Sequence, residues 1–372
     1  MSLAATPTFS EPSAAEILEA IAASDDPDEV VRQRLRGETP PLVFGEEFLF
    51  LARAEGSSPP RIVGDFNDGG YARSEVFGNG TMQRVGSTAW FALRVPVGRD
   101  ARFEYQLAVG NLRSPDPLNP DLALTYGSRR SVAVGPDSRS APLPLVGASR
   151  GRIEILQFSS RIRKNTRPIH VYRPPGAGGG NRLPTLYVKD GDLFRRDAAM
   201  PALIDTLIAR GMLPPMFVVF LVPIDRATEY GTSADYRQLV INELVPFIET
   251  RFETGGAASQ RGLLGASRAG LAAVDLALRH SDVFGFAAAL SPAIRPVRLI
   301  DQIAEATADD AKFFVLLSRF DTPALIEDGR LLAGALRHAG HRVNVIEAPI
   351  DHSINAWAHW IDLALSGWNL DR

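Results

Sequence analysis

The chain contains no cysteine among its 372 residues. That excludes a disulfide framework, a thiol nucleophile, a cysteine zinc site and an iron–sulfur cluster, and it is compatible with a reducing compartment. Histidine is scarce, at six, so a catalytic base of that type comes from a short roster. Neither sign of charge dominates. Forty basic against 43 acidic side chains leave a net charge of −3, which argues against nucleic acid or an anionic membrane surface as the main partner. Long apolar runs are also missing: Pro214–Ile224 is the longest, far short of the roughly 20 residues that span a bilayer. Residues 1–16 show neither the basic nor the apolar segment of a signal peptide, so the expectation is a cytoplasmic protein. What is present is an ordinary globular composition, 45% hydrophobic and 22% charged. The length suits two domains of about 100–200 residues each.

The rhythm of the sequence changes twice. Ser13 and Glu16 have the spacing of a capping box, and Asp26-Pro27-Asp28-Glu29 places an N-cap, a first-turn proline and acids ahead of Val30 and Val31. Helix is therefore expected over the first 35 or so residues. From Pro40 to Pro144 the pattern is short β segments (Glu47–Ala54, Arg61–Phe66, Trp90–Val95, Ala101–Val109) separated by turns such as Gly78-Asn79-Gly80, the mark of a small β-sandwich. After Gly151, strand-like runs alternate with helical ones, including expected helices at Asp197–Ala209, Ser233–Phe252, Arg268–Arg279, Pro323–His338 and Asn355–Ser366. That alternation predicts an α/β fold with a mostly parallel sheet covered on both faces. The expected division is 1–145 for the helical segment plus sandwich and 146–372 for the α/β domain. Sites in such folds lie beyond the carboxyl ends of the strands.

The most informative stretch is Arg261–Gly270, in which an apolar strand runs into Gly265-Ala266-Ser267-Arg268-Ala269-Gly270 and then into a helix. This is the context of a nucleophile elbow, where a sharp turn exposes a serine and its neighbours two positions away must be small. Ala269 stands where the pattern usually has glycine, with Gly270 following. The alternative is close helix-on-sheet packing without chemistry. A serine needs a base and a carboxylate to orient that base, in the chain order Ser, acid, His, each on a loop after a later strand.

Of the six histidines, His170 precedes the serine within a strand, and His280 ends the helix begun at the elbow. His338 and His341 flank a helix end at the other edge of the sheet, and His359 lies inside the terminal helix. Only His352 directly follows a strand. Asp321 is the first carboxylate beyond the preceding strand, 54 residues after Ser267. Glu327 and Asp328 are alternatives expected on a solvated helix face, and Asp351 is expected to be a loop residue. The oxyanion donors expected are the N–H of Arg268 and that of Asp192, from the loop after Leu183–Lys189. The Asp192 carboxylate must then point away from the developing charge.

With those positions fixed, residues from Gly151 onward resemble the esterase family of α/β-hydrolases that includes enterochelin and feruloyl esterases. The resemblance rests on Val171–Pro175, Leu183–Gly191, Leu213–Val219, Arg226–Tyr230, Glu243–Glu249, the elbow, His280–Phe286, Leu290-Ser291-Pro292, and Trp357 five residues after His352. Ile350-Asp351 departs from the glycines the family favours before that histidine. Val63–Asp68, Ser114–Pro120 and Gly37–Leu42 are similar to the N-terminal immunoglobulin-like sandwich of enterochelin esterases.

The resemblance implies an α/β-hydrolase domain behind that sandwich, and a cytoplasmic serine esterase that opens the lactone bonds of an iron–siderophore without metal or organic cofactor. Arg226, Arg319 and Trp357 are the substrate contacts it suggests, with Arg268 a third arginine on loops at that end. The alternative for Arg226 is an ion pair with Glu229. Two other functions stand beside this one. A feruloyl or acetyl esterase whose sandwich grips a glycan needs exposed aromatics, for which Phe66, Tyr71, Trp90 and Tyr105 are the candidates. A non-catalytic binding protein needs no intact Ser, Asp and His. Oligomeric state is left open.

Overall fold

Residue Ser13 starts the first helix, α1 (Ala14–Ala23), by the reciprocal bonds its sequence predicts. Its side chain accepts the Glu16 N–H, and the Glu16 carboxylate takes the Ser13 N–H at 2.6 Å. Asp26 caps α2 (Pro27–Arg34) in the same way. Ile17, Ile21 and Val31 bury one face of this pair against Leu49, Leu51 and Trp90. The computed structural model describes residues 12–368 except 57, 68–73, 179, 181, 232, 253, 295–298, 300–302 and 304–310. The chain separates into two units. One is formed by residues up to Ala123 with Arg129–Ser138, the other by Leu124–Ser128 with Arg139 onward.

The strands of the first unit are β1 (Leu42–Phe44), β2 (Glu47–Arg53), β3 (Arg61–Val63), β4 (Gln83–Arg84), β5 (Trp90–Pro96), β6 (Arg102–Val109), β7 (Leu112–Ser114), β8 (Leu122–Thr125) and β9 (Ser128–Val134). They form antiparallel sheets in the orders β1-β2-β5-β4 and β3-β6-β9-β8, with β7 on β6. The core is aromatic: Phe103 packs against Phe48, Phe50, Phe66 and Phe77. Trp90 and Tyr105 are buried and spend their polar tips inside, on Asp28 at 2.8 Å and Asp116 at 2.7 Å. Phe66 is buried as well. Three of the four aromatics considered for a glycan platform are thus core residues, and Tyr71 lies outside the described residues. The Ser114–Pro120 motif acquires a structural reason: Asn119 donates to Val132 O and to the Tyr105 hydroxyl, locking the loop onto the sheet.

The second unit is built on β10 (Arg152–Ser160), β11 (Asn165–Arg173), β12 (Thr185–Lys189), β13 (Phe217–Leu221), β14 (Arg261–Ala266), β15 (Phe286–Leu290), β16 (Lys312–Ser318) and β17 (Arg342–Ala348). Their order is β10-β11-β13-β12-β14-β15-β16-β17, antiparallel as far as β13 and parallel beyond it. Every residue of β12 to β15 is buried, which is why these strands read as continuous apolar runs without alternation. Between them come α3 (Gly191–Arg196), α4 (Met200–Ala209), α5 (Arg226–Glu229), α6 (Ala234–Gln238), α7 (Val245–Phe252), α8 (Arg268–Arg279), α9 (Pro323–His338), α10 (Ile354–Ala358) and α11 (Ile361–Ser366). One apolar layer lies between the sheet and α7, α8 and α9, and another between the sheet and α3, α4, α10 and α11.

One expected helix starts late and two are subdivided. Ala199 adopts φ 46°, so α4 begins at Met200 and not at Asp197. The run over Ser233–Phe252 contains a π segment, Leu239–Leu244, directly before Pro246. Proline has no N–H to give and its ring crowds the carbonyl four residues back, so the helix widens there. The terminal helix is broken at Trp360, whose φ of −123° is not helical.

Candidate active site

Strand β14 delivers Ser267 to the end of the sheet in a backbone conformation that only a forced turn produces, φ 55° and ψ −124°. The turn is held by Ser267 N–H donating to Leu290 O at 2.8 Å, and by its carbonyl accepting from Leu271 N–H at 3.1 Å. A Cβ on Gly265 would sit 2.4 Å from Ala269 O, so no other residue fits there. The same closeness explains why Ala269 is tolerated. Gly270, whose added Cβ would meet Gly265 O at 3.1 Å, also provides close approach, and Ala269 is fully buried. Ser267 begins α8 without using its hydroxyl to cap it, which leaves the oxygen for other chemistry. Arg268 is the first residue of that helix, among its unsatisfied N–H donors.

Asp321 and His352 are brought together from two loops 31 residues apart in the chain. The His352 Nδ1 lies 3.0 Å from Asp321 Oδ2 and 2.8 Å from Oδ1, with the aspartate almost wholly buried. Asp321 directly precedes Thr322, the N-cap of α9; His352 follows β17, and Ser353 caps α10. Asp351 is buried and accepts a 2.7 Å bond from Ser353 Oγ. Asp328 is buried in α9 rather than on a solvated face, which corrects the sequence expectation. The Trp357 indole, expected to touch substrate, is also buried. Its ring meets His352 edge-on at 4.8 Å and its N–H donates to Ser291 and Ser318, so it supports the imidazole from behind.

The register Val188 opposite Leu264 sets the end of β12 beside the end of β14, and with it the turn Asp190-Gly191-Asp192 beside Ser267. Gly191 lies so close to β13 that a Cβ would be 2.5 Å from Leu221 N. Asp192 is the second residue of α3, and its carboxylate is engaged by Arg195 at 3.2 Å, with His170 at 3.8 Å. Arg226 donates to Asp190, Nε at 2.9 Å to each oxygen and one terminal nitrogen at 2.7 Å. The alternative pairing of Arg226 with Glu229 does not form; Glu229 instead accepts both terminal nitrogens of Arg167 on β11 at 2.7 and 2.8 Å. Arg319 is exposed directly after β16.

Sequence reasoning missed Lys189. It closes an apolar strand and is completely buried, with Nζ 3.4 Å from Tyr236 Oη and over the rings of Tyr236 and Tyr230 at 4.6 and 5.6 Å. Burial pushes its ammonium down to about 7, against the pull of Asp275, Glu229 and Asp190. The signal available was a lysine where the run Thr185–Val188 demanded an apolar residue. Between about pH 7 and the ordinary value near 10.5, the unfolded chain holds a proton on this lysine that the folded chain lacks. Stability on this account rises with pH through that window, and below it the burial cost is felt in full. We expect Lys189→Met to exceed the parent in unfolding free energy at pH 6 by on the order of 2–4 kcal/mol, the gap closing towards pH 10. Urea titrations across that range measure it; a gap independent of pH would contradict the assignment.

A serine at a strand-to-helix turn, with an aspartate–histidine pair on later loops of the same mostly parallel, covered sheet, defines an α/β-hydrolase. The family described as "Putative esterase" matches residues 159–363, over half of the chain, and the chain belongs to that family. It is an esterase-family hydrolase. Among curated relatives, it is 26% identical over 159 residues to an endo-1,4-beta-xylanase/feruloyl esterase of Xylanibacter ruminicola, a match covering 38% of this chain and 22% of that protein. It is 25% identical over 147 residues to the protein YbbA of Bacillus subtilis, covering 34% of this chain and 56% of that one. The matched stretches thus span about a fifth and just over half of those relatives.

Among solved structures, the ferric enterobactin esterase of Salmonella typhimurium superposes with a TM-score of 0.76 at 16% identity, over 87% of this chain and 93% of that one. The Shigella flexneri enterobactin esterase, solved in the presence of enterobactin, gives 0.72 at 18%, over 87% and 92%. A ferulic acid esterase of Anaeromyces mucronatus in complex with ferulic acid gives 0.52 at 15%, over 61% and 93%. At such identities the likeness is one of fold.

Proposed function

We propose that this protein is a serine esterase of the enterochelin-esterase type, cleaving ester or lactone bonds of a siderophore-like substrate through Ser267, His352 and Asp321. The observation that carries the reading is the Asp321–His352 contact on loops of the same sheet that ends in the Ser267 turn. With Nδ1 held by the carboxylate, the imidazole keeps Nε2 as the acceptor. It takes the hydroxyl proton as Ser267 Oγ bonds to the acyl carbon. The carbonyl oxygen becomes an oxyanion facing the N–H groups of Arg268 and Asp192. Collapse breaks the bond to the leaving oxygen, which receives the proton from the imidazolium. Water then repeats the sequence on the acyl-enzyme and restores the serine.

Similar folds were solved with enterobactin and with ferulic acid, and one fold serves many esters. The buried state of Phe66, Trp90 and Tyr105 favours the siderophore reading over a glycan-gripping sandwich. Arg319 and Arg268 stand on the loops after β16 and β14, and arginines suit an anionic catecholate; Arg226 is paired with Asp190. A side-by-side kcat/KM for a catecholate trilactone and a feruloylated sugar decides the matter. We expect at least about a tenfold preference for the trilactone, a difference of about 1.4 kcal/mol in transition-state binding; equal or reversed preference rejects it.

A further inference from the structure

We propose that Tyr230 is a positioning residue for ester hydrolysis, its hydroxyl holding the Asp190 peptide so that the Asp190–Asp192 turn presents its amide to the oxyanion. The inference rests on the reading of Ser267 and that turn given above. Asp190 adopts φ 52° and ψ 41°, a left-handed conformation in which side-chain-bearing residues are uncommon. A residue held there needs restraint from its surroundings, and Asp190 is restrained at both ends. Its N–H donates to Tyr230 Oη at 3.0 Å, and its carboxylate is gripped by Arg226.

Both restraints come from a single turn of helix. Arg226 opens α5 and Tyr230 is its C-cap, while Glu229 between them fastens the turn to β11 through Arg167. Behind Tyr230 the support continues. Tyr236 packs edge-on against it at 5.8 Å, and Lys189 reaches Tyr236 from the residue immediately before Asp190. Tyr230 and Lys189 are completely buried and Tyr236 nearly so. The turn therefore sits in front of a buried group of Tyr230, Tyr236 and Lys189. A displaced donor costs transition-state stabilisation more than ground-state binding, because the amide is aimed at charge that develops only in the reaction.

Tyr230→Phe deletes the hydroxyl and keeps the ring. On p-nitrophenyl acetate we expect kcat to fall about 10- to 100-fold while KM stays within about twofold. Affinity for an aryl boronic acid, which forms a tetrahedral adduct on the serine, falls by the factor seen in kcat/KM. Tyr172→Phe is the comparison, because its hydroxyl makes a partly buried 2.7 Å bond to Asp205 on the other face of the sheet. It should lose thermal stability to a similar degree with kcat unchanged. A Tyr230→Phe enzyme with kcat within twofold of the parent, or with the loss confined to KM, overturns the inference. Ser267→Ala measured alongside separates the two claims: retained activity in that variant defeats the site reading itself.

Discussion

Replacing Ser267 with alanine is expected to lower kcat for p-nitrophenyl acetate by about 10⁴–10⁶-fold, to the level that binding and oxyanion donors alone sustain. The change removes one oxygen and little else. The turn is fixed by backbone, through Ser267 N–H to Leu290 O, Ala293 N–H to Ser267 O, and the contact of Gly265 with Ala269. The hydroxyl does not cap α8, so helix stability has no stake in it. The thermal midpoint should therefore stay within about 2 °C of the parent. Steady-state rates and circular-dichroism melting measured together make the test. A variant that melts normally and keeps a tenth of the activity would show that another group attacks the ester.

The second large effect concerns stability rather than turnover. Glu229→Ala should cost about 3–5 kcal/mol, because it strands the Arg167 guanidinium in the interior. The Arg167 side chain is only 4% exposed and that of Glu229 is fully buried, joined through both terminal nitrogens of the arginine. The remaining bond, from Arg167 to Asn165 at 3.2 Å, does not neutralise the charge. Removing both partners in Arg167→Met/Glu229→Met should cost clearly less than the single change, since no charge is then left unpaired. Urea unfolding of the three proteins supplies the comparison. A single variant within 1 kcal/mol of the parent would mean that water reaches the pair.

The second unit was legible because its strands announce themselves as apolar runs between turn signals, as Thr185–Lys189 and Phe286–Leu290 do. Arg268–Arg279 and Pro323–His338 do so as helices, since one starts at a forced turn and the other at a capped proline. The meeting of Asp321 with His352 was readable because chain order and strand ends restrict which loops can face each other. The ion pairs were not readable. Glu229 and Arg167 stand 62 residues apart and Arg226 and Asp190 stand 36 apart, distances at which charge spacing carries no information. The nearest arginine in sequence was therefore the wrong partner for Glu229. Tyr236 fell within an expected helix and Tyr230 within the Arg226–Tyr230 motif, and only the fold reveals that their hydroxyls point inward.

The strand order carries a consequence for how the protein comes into being. From β12 outwards the sheet runs β14, β15, β16, β17, the order in which these strands leave the ribosome. This half of the sheet can thus be extended at its edge one strand at a time during synthesis. Ser267 lies on the loop after the first of these strands, and His352 follows the last. With His352 as the base we propose, a nascent chain carries its serine for some 80 residues of synthesis before that base is made, and the site is complete only when the closing strand docks.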